Sequence, residues 1–116
     1  MKAVGLTRYL PIEDPASLMD VELDQPKPGG RDLLVAVKAI AVNPVDTKVR
    51  APKEGEEPAP KVLGWDAVGE VVATGEVATQ FKPVDLVYYA GDINHQDSNA
   101  EYQLVDERLC RSSDCL

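Results

Sequence analysis

Hydrophobic and polar residues alternate over short stretches of the chain, and a two-residue period is typical of half-buried β-strands. A stretch from 32 to 42 is instead almost continuously apolar, and its valines and isoleucine favour a central strand over a helix. Strands are predicted over residues 2–7, 18–23, 32–42, 67–73, 86–90 and 100–106. No long amphipathic helical pattern is present. The pattern therefore predicts a mainly β fold, a small barrel or sandwich.

Proline, glycine and asparagine separate the predicted strands. A turn rich in proline and glycine, residues 25–30, precedes the central strand, and Asn43-Pro44 ends it. With Pro44 as its first residue, the stretch that follows predicts a short helical turn. Residues 51–61 contain three prolines and three glutamates, which predicts a solvated loop.

Composition narrows the class of protein. A chain of 116 residues with 44% hydrophobic and 28% charged residues is typical of one globular domain. Its 12 basic and 20 acidic residues leave a net charge of −8, which argues against a nucleic-acid partner. Because no apolar run reaches the length of a membrane span and the first residues do not form a secretory signal, we expect a cytoplasmic protein without membrane contact.

Recognisable catalytic motifs are absent. The sequence contains no G-x-G-x-x-G, Walker A or G-x-S-x-G pattern. Its one histidine, His95, lies in a polar stretch and is better explained as a solvated loop residue than as a catalytic acid. Cys110 and Cys115 lack zinc-knuckle spacing and would close only a very short loop, so we expect no disulfide framework.

Three segments nevertheless resemble a known family. A-V-N-P-V-D-T-K-V-R at 41–50, V-L-G-W-D-A-V-G-E-V-V-A-T-G at 62–75 and S-N-A-E-Y-Q-L-V-D-E-R at 98–108 are similar to the medium-chain dehydrogenase/reductase superfamily. The likeness is to its quinone oxidoreductase-like branch, often called zinc-binding alcohol dehydrogenase family proteins. It implies a GroES-like, partly open β-barrel with one or two short helical turns, forming a substrate domain over residues 1–109. Residues 110–116 depart from the family and are predicted to be a divergent tail.

The resemblance also implies a cofactor. Complete family enzymes carry a Rossmann domain that binds NADPH, and the 116-residue sequence shows none of it. We therefore expect no cofactor and no turnover for this chain alone. Zinc-using relatives place cysteine where Asn43 stands and histidine where Trp65 stands. Since Asn43, Trp65 and Asp66 do not supply the ligands of a catalytic zinc, no zinc is predicted.

Resembling reductases transfer hydride to an enone or quinone, and negative charge then develops on the carbonyl oxygen. Asn43 is the first candidate for contact with that oxygen or with the nicotinamide, although it also fits a simple cap before the helical turn. Trp65 is predicted to line the substrate pocket or, equally, to fill the core. Asp46 is a weaker catalytic candidate and Lys48 a weaker cofactor contact, with an exposed ion pair between them as the alternative.

The resemblance places a glycine where Val84 stands, so a positive φ at this turn would strain the chain.

Two functions remain open. One is the substrate domain of an NADPH-dependent quinone or enone oxidoreductase, with a small quinone or enone as ligand. The other is a non-catalytic module that forms a homo-oligomer or docks onto another protein.

Overall fold

The computed structural model describes residues 1–90 and 98–112, and β-strands dominate this part of the chain. The strands are β1 (Lys2–Arg8), β2 (Met19–Glu22), β3 (Asp32–Ala41), β4 (Glu56–Val62), β5 (Asp66–Thr74), β6 (Leu86–Ala90), β7 (Tyr102–Asp106) and β8 (Cys110–Ser112). The helix α1 spans Pro44–Arg50, and a 3₁₀ turn at Glu107–Leu109 joins β7 to β8. In the described ranges no helix is long and apolar enough to span a membrane.

The strands form two antiparallel sheets. One has three strands in the order β2-β1-β4, and the other has five in the order β7-β3-β5-β6-β8. An isolated bridge pairs Ala3 of β1 with Ala100, two residues before β7 of the larger sheet. Within the described residues neither sheet closes on itself, which confirms the prediction of a mainly β, partly open fold. The helical turn predicted after Pro44 is also confirmed, with Pro44 as its first residue.

The larger core lies under β3 and its neighbours. Leu33 and Val35 of β3, Val71 of β5 and Val87 of β6 are completely buried, and Tyr89 closes the cluster. The second half of β3 is different, because its residues from 38 to 41 are all exposed. The first half of β3 therefore contributes to the larger core, and its second half forms part of the protein surface.

A smaller core holds α1 in place. Leu6, Tyr9 and Leu63 form it, with Leu18 and Val49 packed against them. The guanidinium of Arg50 at the end of α1 donates a hydrogen bond of 2.9 Å to the carbonyl of Leu10. Helix α1 is thus fixed at both its apolar face and its last residue.

The predicted solvated loop at 51–61 is wrong over its second half, which is strand β4 paired with β1. Sequence reasoning treated the prolines as strand breakers, but β4 is an edge strand. Pro58 and Pro60 are two residues apart and share one side of it, and an edge tolerates residues that lack an N–H group. The hydroxyl of Tyr9 donates a hydrogen bond to Glu57 of β4, and this bond raises the pKa of Tyr9 to about 12.

The last described segment also belongs to the sheet. Cys110–Ser112 pairs with β6, Cys110 facing Tyr89 across the ladder, a strand that the sequence pattern did not predict. Burial raises the pKa of the Cys110 thiol to about 12.

The division into a 1–109 domain and a 110–116 tail stays a prediction. Two residues that the sequence analysis discussed, Cys115 and His95, lie outside the described residues.

A buried carboxylate ties three segments together at one end of the larger sheet. Glu107 is completely buried, and its Oε1 accepts a hydrogen bond of 3.1 Å from Arg31, just before β3. Its Oε2 accepts the N–H groups of Thr79 and Gln80 at 2.8 and 3.0 Å. The Glu107 carboxylate therefore links the loop after β5, the turn before β3 and the end of β7.

Replacing Glu107 should test that role. Glu107→Gln removes the charge and places an amide N–H₂ among donors, so we expect a loss of about 2–4 kcal/mol in the free energy of unfolding. Urea denaturation followed by circular dichroism measures it. Glu76→Gln, a change at an exposed position in the same loop, should stay within about 0.5 kcal/mol. Equal, small effects for both variants would contradict the role assigned to Glu107.

Val84 adopts the strained conformation that its sequence position predicted. Its φ is 80°, a left-handed value unfavourable for a β-branched residue, while its side chain is 75% exposed. Val84→Gly should therefore raise the free energy of unfolding by about 1 kcal/mol. Val77→Gly is the matched control: Val77 is also exposed but has no positive φ, so glycine there should destabilise by about 0.5–1 kcal/mol. Two changes of the same sign would refute the strain at Val84.

Candidate functional site

The end of β3 and the start of β5 bring two predicted residues together. Ala41 pairs with Asp66 in the ladder, so Asn43, two residues beyond Ala41, lies beside the Asp66 carboxylate. The amide nitrogen of Asn43 donates a hydrogen bond of 2.6 Å to Asp66 Oδ2. A short bond to a charged acceptor holds the amide firmly in one orientation.

Asp46 caps α1. Its Oδ2 accepts the backbone N–H of Asn43 at 2.7 Å, and its own N–H donates to the carbonyl of Asn43 at 2.9 Å. The amide nitrogen of Asn43 donates one N–H to Asp66, and its second N–H can donate to another acceptor.

An open groove of about 620 Å³ begins at Asp66 and runs across β3, β5 and β6. Val68 pairs with Ala39 on one side and with Tyr88 on the other, so these three side chains project from one face. Small and apolar residues make up most of the lining. Among the described lining residues Asp66 is the only acidic one, and Arg111 on β8 is the only basic one. This surface can hold a flat apolar molecule with a polar group at either end.

Trp65 lies inside the protein. It is only 6% exposed, and it is not among the residues that line the groove. Within the described part of the chain its indole N–H is buried without a hydrogen-bond partner. The structure gives Trp65 a core position, and a role in a substrate pocket stays a prediction.

Sequence reasoning assigned no role to Ser98 and Asn99, which pack on the loop that carries Trp65. Gly64 has a φ of 104°, and a Cβ there would lie 2.5 Å from Ser98 Oγ and 2.9 Å from Asn99 Oδ1. Both side chains carry a buried oxygen with no partner among the described residues. In the sequence, only the S-N-A-E-Y string at 98–102 includes these two residues, and it indicates the family rather than a contact with Gly64.

Lys48 is exposed on α1. The ion pair with Asp46 that the sequence suggested as an alternative does not form, since no salt bridge joins these two described residues. The carboxylate of Asp46 caps the helix instead. A contact between Lys48 and a cofactor stays a prediction.

The groups at this site do not fit a catalytic zinc. Asn43 directs an N–H at Asp66, and Trp65 offers only an N–H donor. Across residues 1–90 and 98–112 no group of three or more histidine, cysteine, aspartate or glutamate side chains is arranged to hold a metal ion. Cys110 is buried among the apolar residues of the larger core.

Two curated relatives match nearly the whole chain. A zinc-type alcohol dehydrogenase-like protein of Staphylococcus aureus is 46% identical over 109 residues, covering 94% of this chain and 32% of the relative. A 2-methylene-furan-3-one reductase of Solanum lycopersicum is 35% identical over 124 residues, covering 94% of this chain and 30% of the relative. The chain thus spans about a third of the length of these relatives.

Solved structures of similar proteins also match nearly the whole chain. A proposed zinc-dependent alcohol dehydrogenase of Rhizobium etli superposes with a TM-score of 0.91 at 51% identity, covering 97% of this chain and 32% of that one. A quinone oxidoreductase of Pseudomonas syringae superposes with a TM-score of 0.75 at 26% identity, covering 96% of this chain and 33% of that one.

The sequence profile of one domain family covers most of the chain. It matches residues 29–112, from the turn before β3 to the end of β8. The matched region contains the Asn43–Asp66 contact, the groove and the complete five-stranded sheet. On this match, and on the likeness of the whole fold to that of solved dehydrogenases, the chain belongs to the alcohol dehydrogenase GroES-like domain family.

Proposed function

We propose that this chain is the substrate domain of an oxidoreductase that uses NADPH, without zinc, to reduce an enone or a quinone. The observation that carries the proposal is the hydrogen bond from the Asn43 amide to Asp66, the acidic residue that lines the apolar groove. One relative is named for the reduction of an enone and one structural neighbour for the oxidation and reduction of quinones. Both substrates are flat molecules with a conjugated carbonyl.

The amide of Asn43 has the chemistry that this reaction needs. Hydride addition to a conjugated carbon moves negative charge onto the carbonyl oxygen, and a fixed donor stabilises that charge. One N–H of the amide binds Asp66, so the second N–H is oriented before the substrate arrives. Ala39 and Val68 offer an apolar surface to the body of the substrate.

The nicotinamide, when bound, supplies the hydride. In this chain Asn43 and the exposed Lys48 are the candidates for contact with the cofactor. The pyrophosphate of a dinucleotide is normally held by a glycine-rich turn at a helix N-terminus, and the sequence has no G-x-G-x-x-G pattern. We therefore propose that the other cofactor contacts come from a further part of the complete enzyme, and that this chain alone has no turnover.

Ligand binding to the purified chain tests the role of Asn43. Cyclohex-2-enone titrated into ¹⁵N-labelled protein should shift the amide signals of Asn43, Asp66 and Val68. Asn43→Leu removes the donor and should weaken binding about tenfold, the effect of one lost hydrogen bond. Asp66→Asn should weaken it less, because the donor remains but is no longer fixed by a charge.

Gln80→Leu is the matched control, since it also removes a side-chain amide but at an exposed position in the loop after β5. The affinity of this variant should equal that of the original chain. Unchanged binding by Asn43→Leu would refute the proposed donor.

With NADPH added, the mixture of chain and cyclohex-2-enone should show no NADPH oxidation. Measurable oxidation would refute the expectation that this chain alone has no turnover.

A specific observation also favours the second function, an assembly module. Val4, Ile40 and Val42 are 37%, 44% and 75% exposed, and all three line one open depression beside the end of β3. Adjacent exposed apolar side chains are a common mark of a protein interface. This alternative places self-association, rather than a small ligand, at the end of β3.

Sedimentation velocity over about a hundredfold range of concentration tests this alternative, because association follows mass action. If the patch is an interface, the sedimentation coefficient should rise with concentration, and Val42→Glu should abolish the rise. Val77→Glu, a similar change at an exposed valine outside the patch, should leave it unchanged. A monomer at every concentration would remove the assembly function.

A further inference from the structure

A second, smaller cavity lies behind α1, separate from the groove at Asp66. It measures about 230 Å³ and lies between the helix, the end of β3 and the segment that precedes β2. Leu18, Leu63 and Val42 give it apolar walls, and Asp46 and Asn99 contribute polar groups. We call it the α1 cavity.

Two of the polar residues that line the α1 cavity, Asp46 and Asn99, each carry a buried oxygen without a partner among the described residues. Asp46 Oδ1 and Asn99 Oδ1 accept no hydrogen bond from any residue in the described ranges. The other oxygen of Asp46 is occupied, because it accepts the N–H of Asn43. Buried acceptors without donors are unfavourable. These two oxygens therefore lack donors, and a ligand that brings one to either of them would be stabilised there.

Charge restricts the class of that ligand further. The carboxylate of Asp46 disfavours an anion, and the guanidinium of Arg50, which also lines the cavity, disfavours a cation. A neutral hydroxyl remains, since it donates to an unpartnered oxygen and can accept from a nearby donor. The apolar walls favour a hydrocarbon body, and a cavity of about 150 Å³ is already large enough for benzene.

We propose that the α1 cavity is a binding site for small neutral ring compounds with a hydroxyl group, of the phenol class. The hydroxyl donates to Asp46 Oδ1 or Asn99 Oδ1, and the ring packs against Leu18 and Leu63. Apart from Ala41, the cavity shares no lining residue with the groove used by the proposed reductase function, and the proposal does not depend on that function. Occupation would add a hydrogen bond at the residue that caps α1.

Phenol and anisole are the probes that separate the two contributions. They share the ring, but anisole has no hydroxyl to donate. Titrated into the ¹⁵N-labelled chain, phenol should bind about tenfold more tightly than anisole, the effect of one hydrogen bond. The largest shifts should fall on the amides of Asp46, Thr47, Leu63 and Asn99. Equal affinity for the two probes, no saturable binding of phenol, or shifts confined to Val68 and Tyr88 in the groove would each overturn the proposal.

Two variants test the cavity itself. Asn99→Leu removes one acceptor at similar volume, so the preference for phenol over anisole should fall by about threefold or more while anisole binding stays similar. Leu18→Phe adds volume to the wall and should weaken both probes. Leu104→Phe, a similar change on β7 outside this cavity, is the control and should change neither. If Asn99→Leu fails to fold, as judged by circular dichroism, Leu18→Phe decides, and unchanged binding in that variant overturns the proposal.

Discussion

The antiparallel pairing of β3 with β5 is the interaction on which the rest of the structure depends. It extends from Leu33 opposite Thr74 to Ala41 opposite Asp66, with two irregularities in register along the way. The buried first half of β3 organises the larger core, and the exposed second half leads to α1. Because a shift of one residue in this register would turn every side chain to the other face, the pairing also decides whether Asn43 meets Asp66.

Carboxylates fix both ends of this central strand. At its start, Glu107 accepts hydrogen bonds from Arg31 and from two backbone N–H groups of the loop after β5. At its end, Asp66 accepts from the Asn43 amide. The first anion is completely buried and serves stability. The second, Asp66, lines an open groove at the other end of the strand.

Asp46 joins the two candidate binding sites. One of its oxygens caps α1 through the N–H of Asn43, and the other is buried without a partner in the described part of the protein, beside the α1 cavity. Asn43 directs an N–H at Asp66 and Trp65 offers only an N–H, whereas a catalytic zinc needs ligands with lone pairs. The proposed reductase function therefore relies on hydrogen bonds from the Asn43 amide to orient and polarise the substrate.

Local patterns in the sequence determined much of the fold: the alternating strands, α1 behind Pro44, the family, and the strain that the structure shows as a φ of 80° at Val84. These features depend on residues close together in the chain. Strand β4 with its prolines, strand β8, the burial of Trp65 and the Glu107 contacts were decided only by the tertiary structure. The same holds for the site, since Asn43 was recognisable from sequence but its bond to Asp66 was not. Edge positions and the partners of buried polar groups depend on which distant segments pair, and strand register sets that pairing in three dimensions.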